Sequence, residues 1–165
     1  MISNYGATYP LDNDDTSQYY HHHDSFLVYG QRPYKSNFGG HNIIHENNIY
    51  GYSSYCGEIY DNEPLPGTPD IWRNCTCVLN GESKNGTQYS YMVITTGCGG
   101  SDSTFYPNYN HGFQSGNNTI NRKGGNMNNL GMCGVSQLNY TATTGDGKGT
   151  VIADLPQTSD LLNQV

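Results

Sequence analysis

Basic residues are scarce in this chain: 7 Lys and Arg stand against 14 Asp and Glu in 165 residues, giving a formal net charge of -7 and a pI near 5.1. Without a basic stripe to neutralise phosphates, the chain argues against nucleic acid and against anionic membranes as partners. Long apolar runs are missing too. The longest aliphatic stretches, such as Met92-Val93-Ile94, are strand-sized, far short of the roughly 20 residues that cross a bilayer. The opening Met1-Ile2-Ser3-Asn4 has neither a charged n-region nor an apolar h-region, so no secretory signal is read in it. No C-x-x-C pair occurs, which argues against a zinc site built on cysteine spacing, and no G-x-S-x-G is present for serine hydrolysis. Gly97-Cys-Gly-Gly100 does not match a phosphate loop. Leu, Ile, Val and Phe supply roughly 17% of the chain, below the roughly 20% level at which disorder competes with folding. The 12% of aromatics and only 13% of charged residues argue for a fold.

Helical periodicity is also absent outside the last residues, because Gly and Asn punctuate the chain every few positions. Short β-prone runs recur instead: Ser25–Tyr29, Asn48–Tyr52, Asn74–Leu79, Tyr89–Ile94, Asn118–Asn121 and Gln137–Thr141. A polar pair precedes most of them: Asp24-Ser25, Asn47-Asn48, Arg73-Asn74 and Asn117-Asn118. The steps between Ser25, Asn48, Asn74 and Asn118 are 23, 26 and 44 residues, the last readable as two steps of 22 with Tyr89–Ile94 filling the middle rung. A polar step followed by a short apolar strand at such intervals predicts a solenoid whose coils stack in parallel. Asn suits the corners, since it tolerates left-handed backbone angles and its amide can bond the matching Asn of the next coil. The expected inward stack is Phe26, Ile49, Cys75 and Thr119. An antiparallel sandwich and largely irregular structure are the alternatives. The coils are placed in residues 1–145, and residues 146–165 form a C-terminal cap or tail, with a short strand near Val151 and a helical turn at Thr158-Ser-Asp-Leu-Leu.

Five cysteines (Cys56, Cys75, Cys77, Cys98, Cys133) allow at most two bridges. Four sequons, at Asn74, Asn85, Asn117 and Asn139, point with them to an extracellular or cell-surface chain. An extracellular chain that starts abruptly is expected to be the C-terminal part of a longer protein, with about five or six coils present here.

The stretches Asp12-Asn-Asp-Asp15, Tyr20-His-His-His-Asp24, Phe26-Leu-Val-Tyr-Gly30, Lys35-Ser-Asn-Phe-Gly-Gly-His41 and His45-Glu-Asn-Asn-Ile-Tyr50 resemble the right-handed parallel β-helix, or pectin-lyase-like, superfamily. The resemblance spans roughly residues 4–122 and rests on the repeat rather than on a catalytic signature. Against the polygalacturonase motifs, Asp14-Asp15, Gly40-His41 and Arg122-Lys123 are partial echoes; His41 is followed by Asn where that family has Gly. The resemblance implies a protein that contacts polysaccharide, as a lyase or hydrolase of uronate-type glycans or, alternatively, as a non-catalytic adhesion or structural solenoid.

The densest polar constellation is Asp12, Asp14, Asp15, His21, His23, Asp24, Lys35, His41, His45 and Glu46. Read as a lyase site, Asp12, Asp14 and Glu46 hold Ca²⁺, and Asp14, Asp15, Lys35 and His41 carry catalysis, with Lys35 or a His removing the proton α to the sugar carboxylate. Tyr20, His23, Tyr34 and His45 are the expected substrate-binding residues. On a strand, His21 and His23 share one face and His22 takes the other. Tyr19, Tyr20, Tyr29, Tyr34, Tyr50, Tyr52 and Tyr55 are expected to project from the surface, where phenol rings pack on sugar faces.

Overall fold

The computed structural model describes residues 2–3, 9–30, 32–37, 41–54, 56–60, 70–80, 92–94, 113–123, 131–132, 135–136 and 148–164. Sixteen short strands are found among them, numbered β1 to β16 in chain order, followed by one helical turn, α1 (Thr158–Leu162). One sheet runs β1 (Ile2–Ser3), β4 (Phe26–Val28), β7 (Ile49–Ser53), β10 (Thr76–Leu79), β13 (Thr119–Lys123), β16 (Lys148–Ile152). A second runs β2 (Leu11–Asn13), β5 (Tyr34–Asn37), β8 (Gly57–Tyr60), β11 (Met92–Ile94), and a third β3 (His21–His23), β6 (Ile44–Glu46), β9 (Asp70–Arg73), β12 (Phe113–Gly116). Within these three sheets every pairing is parallel. The exception is a small antiparallel pair, β14 (Gly131–Met132) with β15 (Val135–Ser136). The all-β expectation therefore holds, and the parallel pairing overturns the antiparallel sandwich.

From β2 to β13 every pairing joins a strand to the third one along, so each sheet is revisited after an interval that varies. That interval is 23 residues where Leu27 pairs Tyr50, 27 where His45 pairs Trp72, and 43 where Cys77 pairs Ile120. The long step is thus a single one. β10 pairs directly with β13, and the run at Met92–Ile94, expected to fill a missing rung, pairs instead with β8 in the second sheet. The run at Gln137–Thr141 lies outside the described residues.

Corner chemistry explains the alignment. Asp24, Asn47, Asn74 and Asn117 each sit just before a strand of the six-stranded sheet with φ of 48°, 55°, 53° and 57°. Asp and Asn are the side chains that enter this left-handed region at least cost. The backbone N–H of Asp24, Asn47 and Asn74 donates to Glu46, Arg73 and Gly116 of the following repeat. At the next position the buried amides of Asn48 and Asn118 take over. Asn48 Oδ1 accepts from Ser25 N–H while its Nδ2 donates to the His22 carbonyl, and Asn118 makes the equivalent bonds to Cys75 N–H and the Trp72 carbonyl. The amides of Asn48 and Asn118 therefore tie corner backbone between repeats, with Cys75 at the register position between the two, and the Asn47 amide donates to the Asp24 carboxylate one repeat away. Asn118 thereby satisfies two buried backbone groups that would otherwise cost about 1–3 kcal/mol apiece, and Asn48 satisfies two part-buried ones.

The inward stack differs from the expected one. Leu27, Tyr50, Cys77 and Ile120, all at 1% exposure or less, line the interior, where Cys77 is disulfide-bonded to Cys56. Phe26, Ile49, Thr76 and Thr119 are the register partners one residue earlier and face the other side. Cys75, one residue before Thr76, is buried at 1% exposure as expected, whereas the period of two puts Phe26, Ile49 and Thr119 on the face opposite Leu27, Tyr50 and Ile120.

Phe26, Val28, Ile49 and Val78 on this outer side are covered by the tail, whose Leu161 completes their cluster. Tyr52 donates its hydroxyl proton to the Pro156 carbonyl at 2.8 Å, and Gln157 and Asp160 form a capping box on α1. The tail expected at residues 146–165 is thus two things: β16, the sixth strand of the main sheet, and a strap that crosses back over it. Gly51 makes room for the strap, since a Cβ there would lie 2.9 Å from Val28 Cγ1 and 3.5 Å from Leu161 Cδ1. Gly51→Ala is accordingly expected to destabilise by about 1–3 kcal/mol through overpacking. Limited proteolysis should then release the last residues of the variant earlier than those of the parent.

Candidate binding face

The third sheet presents its polar sequence to both sides. Along β3 the alternation holds: His21 and His23 are exposed with ring centroids 4.6 Å apart, and His22 turns inward. Inside, His22, His45 and Trp72 are register partners and stack at 5.0 and 5.2 Å, close to one strand spacing. Tyr34 from the second sheet and Tyr50 from the first close on this column, at 3.8 Å from His45 and 4.7 Å from Trp72. Polar, aromatic side chains therefore form the core where aliphatics are few.

The core is wired as well as stacked. Asn48 Nδ2 donates to the Tyr50 hydroxyl, and that hydroxyl lies 3.0 Å from His45 Nδ1, a hydrogen bond in which either group can be the donor. Burial, then the charge of His22 and His21, pushes the His45 pKa well down; burial and His21 push His22 down. Burial and the Asp70 carboxylate push the Tyr34 phenol up, and burial pushes Tyr50 up. Tyr34 and His45, expected to bind substrate, are 0% and 1% exposed and are core residues closed to any sugar.

Outside, Ile44 and Ile71 are register partners forming a half-exposed apolar floor. With Tyr19, Tyr20, His21 and Asn42 they line an open groove of about 220 Å³. Tyr19 and Tyr20 stand up at 72% and 51% exposure, Tyr19 in the left-handed region with φ 61° and Tyr20 stacked on His22. Next to the groove runs the column His23, Glu46, Arg73. Arg73 Nε donates to Glu46 Oε1 at 2.8 Å, His21 Nε2 lies 3.2 Å from Oε2, and His23 Nδ1 lies 2.8 Å from Asp24 Oδ2. The Arg73 hydrogen bond, opposed by partial desolvation, holds the Glu46 carboxyl below the usual range, and His23 and Asn47 do the same for Asp24. A carboxylate held this way keeps its charge and is unsuited to donate a proton.

The other expected site residues lie elsewhere. Lys35, aligned with Asp12 across β2 and β5, bonds Asp12 Oδ1 at 2.9 Å and Asp14 Oδ2 at 3.4 Å, with its ammonium 5.0 Å from the Tyr9 ring centroid. Desolvation pulls the Lys35 pKa down, but the two carboxylates outweigh it and the net shift is upward, so this amine holds its proton more firmly than usual. It is not set up as the base. Asp12, Asp14 and Lys35 are brought together, with the cation in the place expected for Ca²⁺; Glu46, the third expected ligand, is on another sheet beside Arg73. Among the described residues no group of three or more His, Cys, Asp or Glu side chains is placed to hold a metal ion. Asp15 is exposed at the corner with φ 46°, and His41, paired through its backbone with Gln18, bonds Asn42 Oδ1 through its ring. Of the seven tyrosines expected outside, Tyr19 and Tyr20 are; Tyr34 and Tyr50 are interior, Tyr29 and Tyr52 stack beneath the strap, and Tyr55 lies outside the described residues.

Sequence reasoning missed Ile44, Ile71 and Asn42 as site residues. No periodic signal marked them, because Ile43 beside Ile44 is fully buried and the pair reads as core. No protein-family model, no curated protein and no solved structure matches the chain. No helix among the described residues is long and apolar enough to cross a membrane.

Proposed function

We propose that the chain is a right-handed parallel β-helix of the pectin-lyase-like kind, exposed outside the cell, whose β3–β6–β9 face holds polysaccharide without cleaving it. The solenoid is supported by parallel pairing of every third strand, by corners of matching backbone angle on successive repeats, and by aromatic rings stacked at strand spacing. Right-handed crossovers are the rule for parallel strands joined in one sheet.

The observation that carries the binding reading is the groove, where two exposed tyrosines flank an isoleucine floor beside a row of polar hydrogen-bonding groups. Sugar rings present C–H faces that pack on phenol and aliphatic surfaces, and hydroxyls that bond imidazole, amide, carboxylate and guanidinium groups. Binding without cleavage is supported by the state of the ionisable groups. Lys35 is held protonated between two carboxylates, and Glu46 is held ionised by Arg73.

A glycan array, followed by calorimetry on the best hit, tests the reading. Tyr20→Ala is expected to weaken binding about tenfold, the worth of one aromatic platform, while leaving the melting curve in place. Equal affinity of the variant and the parent would remove the groove from the account. Release of unsaturated or reducing sugar ends, lost in Asp14→Ala, would assign catalysis to the Asp12–Lys35–Asp14 cluster instead.

A further inference from the structure

Four sequons offer acceptor asparagines, and two of them, Asn74 and Asn117, lie among the described residues. Asn74 and Asn117 occupy the same corner on neighbouring repeats: both are exposed, both lie in the left-handed region, and the Asn74 N–H donates to the carbonyl of Gly116. Their immediate neighbours are the opposite case, since Cys75 and Asn118 are buried at 1% and 2% exposure. The corner therefore sorts the chain residue by residue, pushing the sequon asparagine into solvent while the next side chain locks the core. The hydroxyl-bearing residues two positions on, Thr76 and Thr119, open β10 and β13 and are register partners.

From this placement we propose that Asn74 and Asn117 are N-glycosylation acceptors, forming a paired glycan attachment edge along one corner of the stack. In the transfer, the side-chain Nδ2 of each asparagine bonds to the anomeric carbon of a lipid-pyrophosphate-linked oligosaccharide. The bond from that carbon to the pyrophosphate oxygen breaks, the lipid pyrophosphate leaves with the electron pair, and the amide gives up one proton. The folded chain accommodates the product because both asparagines are exposed at the corner, and nothing in the core has to move. The attached sugars stand beyond the His23–Glu46–Arg73 column, at the far end of the strands from Tyr19 and Tyr20, and leave the groove open.

Occurrence in the cell rests on the extracellular reading, so the test supplies the secretory route itself. The full chain, behind a cleavable secretion leader, is produced in cultured eukaryotic cells and its mass is read before and after peptide N-glycosidase, with peptide mapping of the asparagines converted to aspartate. The expected result is conversion at Asn74 and Asn117, with Thr76→Val and Thr119→Val each losing only its own glycan. A secreted chain unmodified at both positions overturns the proposal, and the parent alone decides this if a variant fails to fold. Bacterially made, sugar-free protein carries the glycan-array measurement, so failure of the binding reading and failure of this one are read separately.

Discussion

Trp72→Ala is expected to lower the unfolding free energy by about 3–5 kcal/mol, the range for truncating a buried indole. A domain of this size has roughly 5–15 kcal/mol in all, so the variant should populate unfolded chain at 25 °C or lose its cooperative transition altogether. The size of the effect follows from position. Trp72 is fully buried and touches rings from all three sheets: His45 beneath it on its own sheet, Tyr50 from the first and Tyr34 from the second, with centroids 5.2, 4.7 and 5.7 Å away. Removing it opens a cavity that neighbours held by parallel pairing cannot collapse into. Urea denaturation followed by tyrosine fluorescence and by far-ultraviolet circular dichroism measures it. A loss below about 1 kcal/mol would mean that the three sheets do not share this core. Surface changes such as Tyr20→Ala, by contrast, should stay within about 0.5 kcal/mol.

Acid is expected to unfold the protein in a window set by histidine rather than by carboxylates. The pKa of His45 in the folded chain lies well below its ordinary value of about 6.5, through burial first and the neighbouring imidazoles second. Above about pH 6.5 both folded and unfolded chains carry it neutral, and its contribution to stability is fully present. As the pH falls below that, only the unfolded chain takes up the proton, so stability is lost at up to about 1.4 kcal/mol per pH unit until the folded value is reached. His22 shifts in the same direction and adds a smaller share, because it is half-buried and partly screened. Melting temperature measured from pH 7.5 to 5 should therefore fall steeply below 6.5. His45→Phe, which keeps the stacked ring and gives up the bond to Tyr50, should flatten most of that slope while costing about 1 kcal/mol at neutral pH. An unchanged slope in the variant would place the proton uptake elsewhere.

Two residues of this core, His45 and Tyr34, were assigned differently by sequence reading. Both lie within a run of Asp, Lys and His, and in that company they read as a polar site on a surface. Period two decides otherwise: on β5 and β6 the alternate residues Lys35, Ile44 and Glu46 take the outside, and Tyr34, Ser36 and His45 are turned in. The strands β2, β5, β6 and β9 escaped notice for the same reason, since sequences such as Tyr34-Lys35-Ser36-Asn37 lack the aliphatic alternation that marks a strand. Their inward residues are aromatic or polar and meet one another across sheets, a pairing that no local window contains.

Certain features were legible before any coordinates. The β class, the corner asparagines, the apolar runs of β4, β7, β10 and β13, and the split of His21 and His23 from His22 are local, because backbone propensity and side-chain alternation act over a few residues. Which side faces in, whether a 44-residue step is one repeat or two, where Lys35 finds its carboxylates and what covers Phe26 and Ile49 are not local. Those were decided only when strands 23 to 43 residues apart were laid side by side and the strap of residues 153–162 returned across them, because register fixes every contact between repeats and a shift of one residue exchanges interior for surface.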